Sequence, residues 1–183
     1  MNISNAETRK VSKFLSYVLR HCPDDIGMVL EEGGWVQLSV LIKKAKPKMT
    51  LTLEIIRHVV ETNDKQRFKI SDDGHKIRAS QGHSVTVDLK LEVVQPPAFL
   101  FHGTTERFMQ SIMAEGLKAK QRHHVHLSEN EGTAKAVGSR HGKPVILTVA
   151  SGEMVEVGFE FFCSDNQVWL TQEVPVKFLS RAT

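Results

Sequence analysis

Cysteine is scarce in this 183-residue chain: only Cys22 and Cys163 occur, far apart and outside any C-x-x-C pair. That excludes a disulfide framework and a thiolate zinc site, and both thiols are expected to stay reduced. No apolar run approaches the roughly 20 residues of a membrane helix. Charged residues make up 25% and hydrophobic ones 40%, the composition of a soluble globular protein with no membrane partner. The opening residues MNISNAETRK show no basic patch followed by an apolar stretch and a small-residue cleavage site, so the cytoplasm is the expected location. G-x-G-x-x-G, a P-loop and an H-E-x-x-H helix are all missing, and any dinucleotide must bind outside a Rossmann or Walker framework. No internal repeat or low-complexity tract interrupts the chain. A strong excess of one charge is missing too: the net charge is +3, with 15 Lys/Arg against 12 Asp/Glu in residues 1–95 and nine of each in residues 96–183. A surplus that small does not by itself identify a polyanionic partner.

What is present divides at VVQPPAF, where Pro96 and Pro97 break regular structure and read as a short linker. Before it, Val11, Phe14, Leu15, Val18 and Leu19 recur at helical spacing after Ser4 or Asn5, both good caps, and predict a helix to about His21. A second helix is expected near SVLIKKA. A third is expected in LTLEIIRHVVETN, with Leu53, Ile56, Val59 and Val60 as its apolar stripe. Phe68 and Ile70 then alternate with Arg67 and Lys69, and Asp73-Gly74 predicts a hairpin turn. Three helices closed by a hairpin suggest a winged helix. After the linker, FLFHG reads as a strand, TERFMQSIMAEG as a helix closed by Gly116, HHVHLS as a strand and GTAKAVGSRHG as a short helix. PVILTVA, MVEVGFEFF and VWLTQEV read as strands from their Val, Ile and Phe content.

Several residue groups carry candidate chemistry. On a strand, His124, His126 and Ser128 share one face and His123, Val125 and Leu127 the other. Two imidazoles on one face could hold zinc, but no further ligands stand at the right spacing, and a polar strand edge is the ordinary explanation. In FHGTT, His102, Gly103 and Thr104 combine an imidazole, a backbone that a flat amide or a ribose could approach, and a hydroxyl. Arg20-His21, Arg67 and Arg140-His141 each stand beside a structural punctuation point. Guanidinium forks bind phosphate bidentately, so converging arginines would form a phosphate pocket; solvated surface arginines are the alternative.

Taken together the chain resembles the RNA 2'-phosphotransferases, the Tpt1/KptA family. The resemblance runs in order through SKFLSYVLRH, GGWV, NDKQRFKIS, IRASQGHSV, FHGT, HVHLS, VGSRHGKPV and VWLT. It implies an α+β protein with a winged-helix RNA-binding lobe at 1–95 and an ADP-ribosyltransferase-like, split β-sheet, NAD-binding lobe at 96–183, the active site lying between them. It assigns catalysis to Arg20, His21, Arg67 and Arg140. It assigns NAD binding to His102, Gly103, Thr104, His126, Leu127 and Ser128, with no metal. The implied reaction moves an internal RNA 2'-phosphate to NAD through a 2'-phospho-ADP-ribosylated RNA, giving 2'-OH RNA, ADP-ribose 1'',2''-cyclic phosphate and nicotinamide. Lys69, Arg78 and His83 are expected near the RNA, and a monomer is expected. Val168 stands where many other ADP-ribosyltransferases carry Glu. Asn166-Gln167 replaces the commoner Asn-Gly, and Cys22 stands where Lys is more usual. An ADP-ribosyltransferase acting on another nucleic-acid or protein acceptor is the alternative enzyme, and a winged-helix binder without catalysis is the alternative of a different class.

Overall fold

The first helix, α1 (Asn5–Arg20), begins where the Ser4 side chain accepts from the Glu7 N–H, in a computed structural model that describes residues 3–182. Its apolar positions Val11, Leu15, Val18 and Leu19 follow the 3.6-residue period, and all four are buried. The chain forms two compact units, one ending at Lys90 and the other starting at Leu91. Each mixes helices with small antiparallel sheets, an α+β organisation.

In the first unit, β1 (Val36–Gln37) leads directly into α2 (Leu38–Ala45), and α3 (Leu53–Glu61) follows, capped by Thr52 accepting from the Ile55 N–H. The apolar stripe of α3 is Ile55, Ile56 and Val59, one position round from the expected set, because Leu53 in the first turn remains exposed. The hairpin of β2 (Phe68–Ile70) and β3 (Lys76–Ala79) pairs Phe68 with Ala79 and Ile70 with Ile77. Gly74 turns the chain at φ +73, a region that costs glycine nothing. Strand β1, too short to have a period in the sequence, adds to β3 through Val36 and Ile77. The core joins Leu15, Leu19, Leu41, Ile56 and Ile77, each worth about 1.5–3 kcal/mol on removal from water.

The second unit starts with a tethered segment rather than a loose linker. Val93 bridges Phe162, the Val94 N–H donates to Phe161 O, and Ser151 Oγ donates to Pro97 O at 2.7 Å. Strand β4 (Leu100–Thr105) runs into α4 (Glu106–Glu115), which Gly116 ends at φ +79. Next come β5 (Leu117–Lys118), β6 (Val125–Leu127), α5 (Glu131–Gly138) and β7 (Pro144–Val149).

MVEVGFEFF, expected as a strand, splits into a helix and a strand: α6 (Ser151–Glu156) and β8 (Phe162–Cys163). Its Val content imitates a strand, but Ser151 is anchored to Pro97, the Gly152 N–H donates to Ala98 O, and Ser151 and Met154, three residues apart, are both fully buried. That is a helical burial pattern, and Gly158 at φ +95 ends it. The remaining strands are β9 (Trp169–Thr171), β10 (Glu173–Val174) and β11 (Leu179–Arg181). Among the described residues they form three antiparallel sheets, ordered β11-β7-β4, β6-β9-β8 and β10-β5. No helix of the described residues is long and apolar enough to cross a membrane.

The loop between β8 and β9 carries a departure already visible in the sequence. Gln167 adopts φ +59 while its N–H donates to Ser164 O at 2.9 Å. A left-handed non-glycine residue costs about 1–2 kcal/mol, partly offset in a glycine by the larger entropy of its unfolded chain. Gln167→Gly is therefore expected to raise stability by about 0.5–1 kcal/mol, read as a higher midpoint in chemical denaturation.

Candidate functional site

In the first unit, Arg20 and His21 stand where α1 stops. Arg20 is its last residue, and the His21 N–H caps it by donating to Tyr17 O at 3.0 Å. The irregular stretch after β3 folds back onto this end: the Ser84 N–H donates to Arg20 O at 2.9 Å, and Ser84 Oγ is hydrogen-bonded to His21 Nδ1 at 2.9 Å. Gly82, at φ +86, passes the Arg20 guanidinium. The Arg20 guanidinium also donates to Arg67 O at 3.2 Å, which fixes the residue just before β2. Arg67 in turn donates to Asn63 Oδ1 at 3.4 Å. Three of the four residues singled out for catalysis, Arg20, His21 and Arg67, are thus drawn together by the end of one helix and the start of one hairpin.

The neighbouring candidates separate by burial. His83 is buried at 2% exposure, its Nε2 close to Gly34. Arg78 lies over Trp35 with 4.7 Å from guanidinium carbon to ring centre, opposite Lys69 across the hairpin. Arg140, the fourth, belongs to the second unit, in the single 3-10 turn Ser139–His141 after α5.

In the second unit the two expected segments meet. Phe101 and Ser128 exchange both main-chain hydrogen bonds, each 2.8 Å, which joins β4 to the end of β6. His102 then reaches the neighbouring main chain, its Nδ1 lying 3.0 Å from His126 O. A carbonyl only accepts, so Nδ1 carries the proton. Burial holds the His102 ring below the usual histidine pKa, with the His126 carbonyl pulling the other way. The neutral ring therefore offers Nε2 as an acceptor.

His126 has the opposite polarity. The Arg122 guanidinium, 2.8 Å from His126 Nδ1, can only donate, which leaves the proton on Nε2. Val125 and Leu127 point into the core, while His124, His126 and Ser128 stay half-exposed, as strand alternation requires. His124 packs its ring on Phe162, 5.5 Å between centres, and His123 is exposed. Arg122 could not be found from strand spacing, because the Arg122 N–H donates to Ala119 O and a turn brings it back.

Gly103 has a different cause from the one its sequence suggests. A Cβ there would stand 1.8 Å from Ala134 O and 2.9 Å from Gly138 N, and a Cβ on Gly138 would stand 2.8 Å from Thr104 O. The two glycines let α5 lie against β4, and the space over Gly103 belongs to that helix rather than to a ligand. Its main chain is another matter. Phe101 pairs outward with Ser128, and Ile146, opposite Gly103, accepts instead from the Ala182 N–H at 3.0 Å. Antiparallel alternation then directs the Gly103 N–H and C=O to the edge shared with Ser128. Thr104 is buried on β4.

The arrangement offers an acceptor on His102, a donor on His126 and a peptide edge at Gly103. That set suits a ribose hydroxyl and a flat amide.

Two outcomes are expected. Gly103→Ala forces α5 off β4 and lowers stability by about 3 kcal/mol or more, measured by thermal melting. The depressed His102 pKa means the unfolded chain binds more protons than the folded one just below the ordinary value of 6.5. Stability contributed by the neutral ring is therefore full above that value and lost as pH falls through it, and His102→Asn should make the decline shallower in urea melts.

Comparison with known proteins adds a separate line of observation. The profile of the RNA 2'-phosphotransferase, Tpt1 / KptA family matches residues 6–173. A Flavobacterium johnsoniae protein described as "Probable RNA 2'-phosphotransferase" is 52% identical over 93% of this chain and 94% of its own length. Proteins of the same description from Pectobacterium carotovorum, 51% identical over 97% of this chain and 96% of their own, and from Agrobacterium fabrum, 52% over 92% and 91%, are similar throughout.

Proposed function

The chain belongs to the RNA 2'-phosphotransferase, Tpt1 / KptA family, and from that premise we propose that it transfers an internal RNA 2'-phosphate to NAD. The products are 2'-OH RNA, nicotinamide and ADP-ribose 1'',2''-cyclic phosphate. The observation that carries the proposal is the joined pair of segments in the second unit. His102 presents an acceptor to a ribose hydroxyl, His126 a donor, and the Gly103 peptide edge can read a carboxamide. These are the contacts that a nicotinamide riboside needs, and they fit NAD as the consumed co-substrate. Thr104 and Leu127 support the pocket as buried neighbours, and Ser128 holds its two strands in register. The three antiparallel sheets, two of them linked by one bridge, are consistent with an ADP-ribosyltransferase-like split sheet. The helices α1, α2 and α3 closed by the β2–β3 hairpin are consistent with a winged-helix, RNA-binding lobe.

In this reading the RNA 2'-phosphate is the nucleophile: its oxygen attacks the ribose carbon that bears nicotinamide as that bond breaks, leaving phosphate bonded to ADP-ribose. The adjoining ribose hydroxyl next attacks the phosphorus, and the RNA 2'-oxygen departs with a proton. The first step has oxocarbenium character, so orientation and charge placement matter more than a strong base. Val168, where a carboxylate stands in many other ADP-ribosyltransferases, is compatible with an acceptor that is already an anion. Arg20, Arg67 and Arg140 orient and neutralise the phosphate and stabilise the charge of its five-coordinate state. His21, held by Ser84, gives the departing 2'-oxygen its proton.

The decisive assay mixes protein, NAD and an oligonucleotide with one internal 2'-phosphate, and follows nicotinamide and the cyclic phosphate. Turnover that needs NAD and survives a chelator is expected. A stable ADP-ribosylated product without cyclic phosphate would instead assign the protein to transfer onto another acceptor. Replacing Arg20, Arg67 or Arg140 by Ala is expected to lower kcat about 10²–10³-fold with NAD affinity nearly kept, and His21→Ala to slow the second step by about 10²-fold or more. Full rate in both steps for His21→Ala would remove it from the mechanism.

A further inference from the structure

A long open groove of about 820 Å³ runs along the first unit between α1 and the turn after α3. One wall is the face of α1 opposite its core stripe, where Arg9, Lys13, Tyr17 and His21 follow each other at four-residue spacing. At 1.5 Å per residue this row is about 18 Å long. The other wall carries Lys65 and Arg67, and the only carboxylate among the lining side chains of the described residues is Asp64. The walls are joined at the floor, because Asn63 Nδ2 donates to Ser12 Oγ at 3.3 Å while Arg67 donates to Asn63 Oδ1. The cationic row is therefore fixed in register with Arg67, the residue just before β2.

Tyr17 adds a feature that cations alone do not supply. Its hydroxyl donates to Asp25 Oδ2 at 2.5 Å, and Lys48 holds the same oxygen at 3.3 Å. Tyr17 as a residue remains 41% exposed and lines the groove. An aromatic ring tethered at its polar end has little rotamer freedom left to lose when a base stacks on it.

We propose that this groove binds the single-stranded RNA flanking the 2'-phosphate, with Arg9, Lys13 and Lys65 on successive backbone phosphates and a base stacked on Tyr17. This deepens the function above and rests on its assignment of His21 and Arg67 to the acceptor phosphate, since both line the same groove. Alternating cations along a groove with one aromatic platform suit a polyphosphate strand bearing flat bases. An acidic peptide would use the cations and leave the ring idle.

The test compares Arg9→Glu/Lys13→Glu with the parent protein on a 2'-phosphorylated dinucleotide and on a strand of about twelve nucleotides with a central 2'-phosphate. Turnover is read beside anisotropy of the labelled long strand. The parent is expected to prefer the long strand, and the double variant to lose that preference about tenfold in KM, with the salt dependence of binding falling by about 1.4 in log–log slope for two lost phosphate contacts. Tyr17→Leu should weaken the long strand about tenfold and Tyr17→Phe much less. Unchanged long-strand affinity and unchanged salt slope in the double variant would overturn the groove, as would equal competition by a polyglutamate peptide. If the parent releases no nicotinamide with either substrate, yet its affinity for the long strand still drops in the double variant, the groove stands and the reaction assigned to the chain falls.

Discussion

The second unit depends on one main-chain pair, the two reciprocal hydrogen bonds between Phe101 and Ser128. They are the bridge between the sheet of β4, β7 and β11 and the sheet of β6, β8 and β9. Remove that register and His102 loses its carbonyl partner on His126, while the Gly103 peptide edge faces nothing in particular. A one-residue slip would also turn Val125 and Leu127 out of the core and His126 into it. The hydrophobic demand of those two positions is therefore what aims the imidazoles outward.

The close approach of α5 to β4 supplies the second constraint. Gly103 and Gly138 face each other's elements so tightly that neither tolerates a methyl group. Helix and strand thereby fix the segment that ends in Arg140 relative to the segment that holds His102, within one unit. In the first unit the corresponding task falls to side chains: Arg20 grips the Arg67 carbonyl, and Ser84 meets His21 at the end of α1.

Much of this was legible in the residues. Ser4 announced its helix, Asp73-Gly74 its hairpin, and the alternation of 124–128 the faces of β6. Other features were not, each for a physical reason. Strands β1 and β11 have two or three residues, too few for a period, and exist because the longer β3 and β7 present edges to them, while β5 pairs with the equally short β10. Helix α6 hid behind valines whose strand propensity was outweighed by the anchoring of Ser151 and the burial of Met154. Gly103 looked like room for a ligand, when packing against Ala134 requires it. Arg122 and Ser84 act through turns that reverse the chain, and sequence distance says nothing about where a turn ends.

The opposed tautomers of His102 and His126 have an effect that shape alone would not give. One ring shows a lone pair and the other a proton, each locked by a partner that cannot switch role: a peptide carbonyl and a guanidinium. A compound of the right outline but with its hydroxyl and its oxygen acceptor interchanged would meet lone pair with lone pair and proton with proton. A patch of this polarity would discriminate against such a mirror-patterned compound without a single charged atom being asked to touch it.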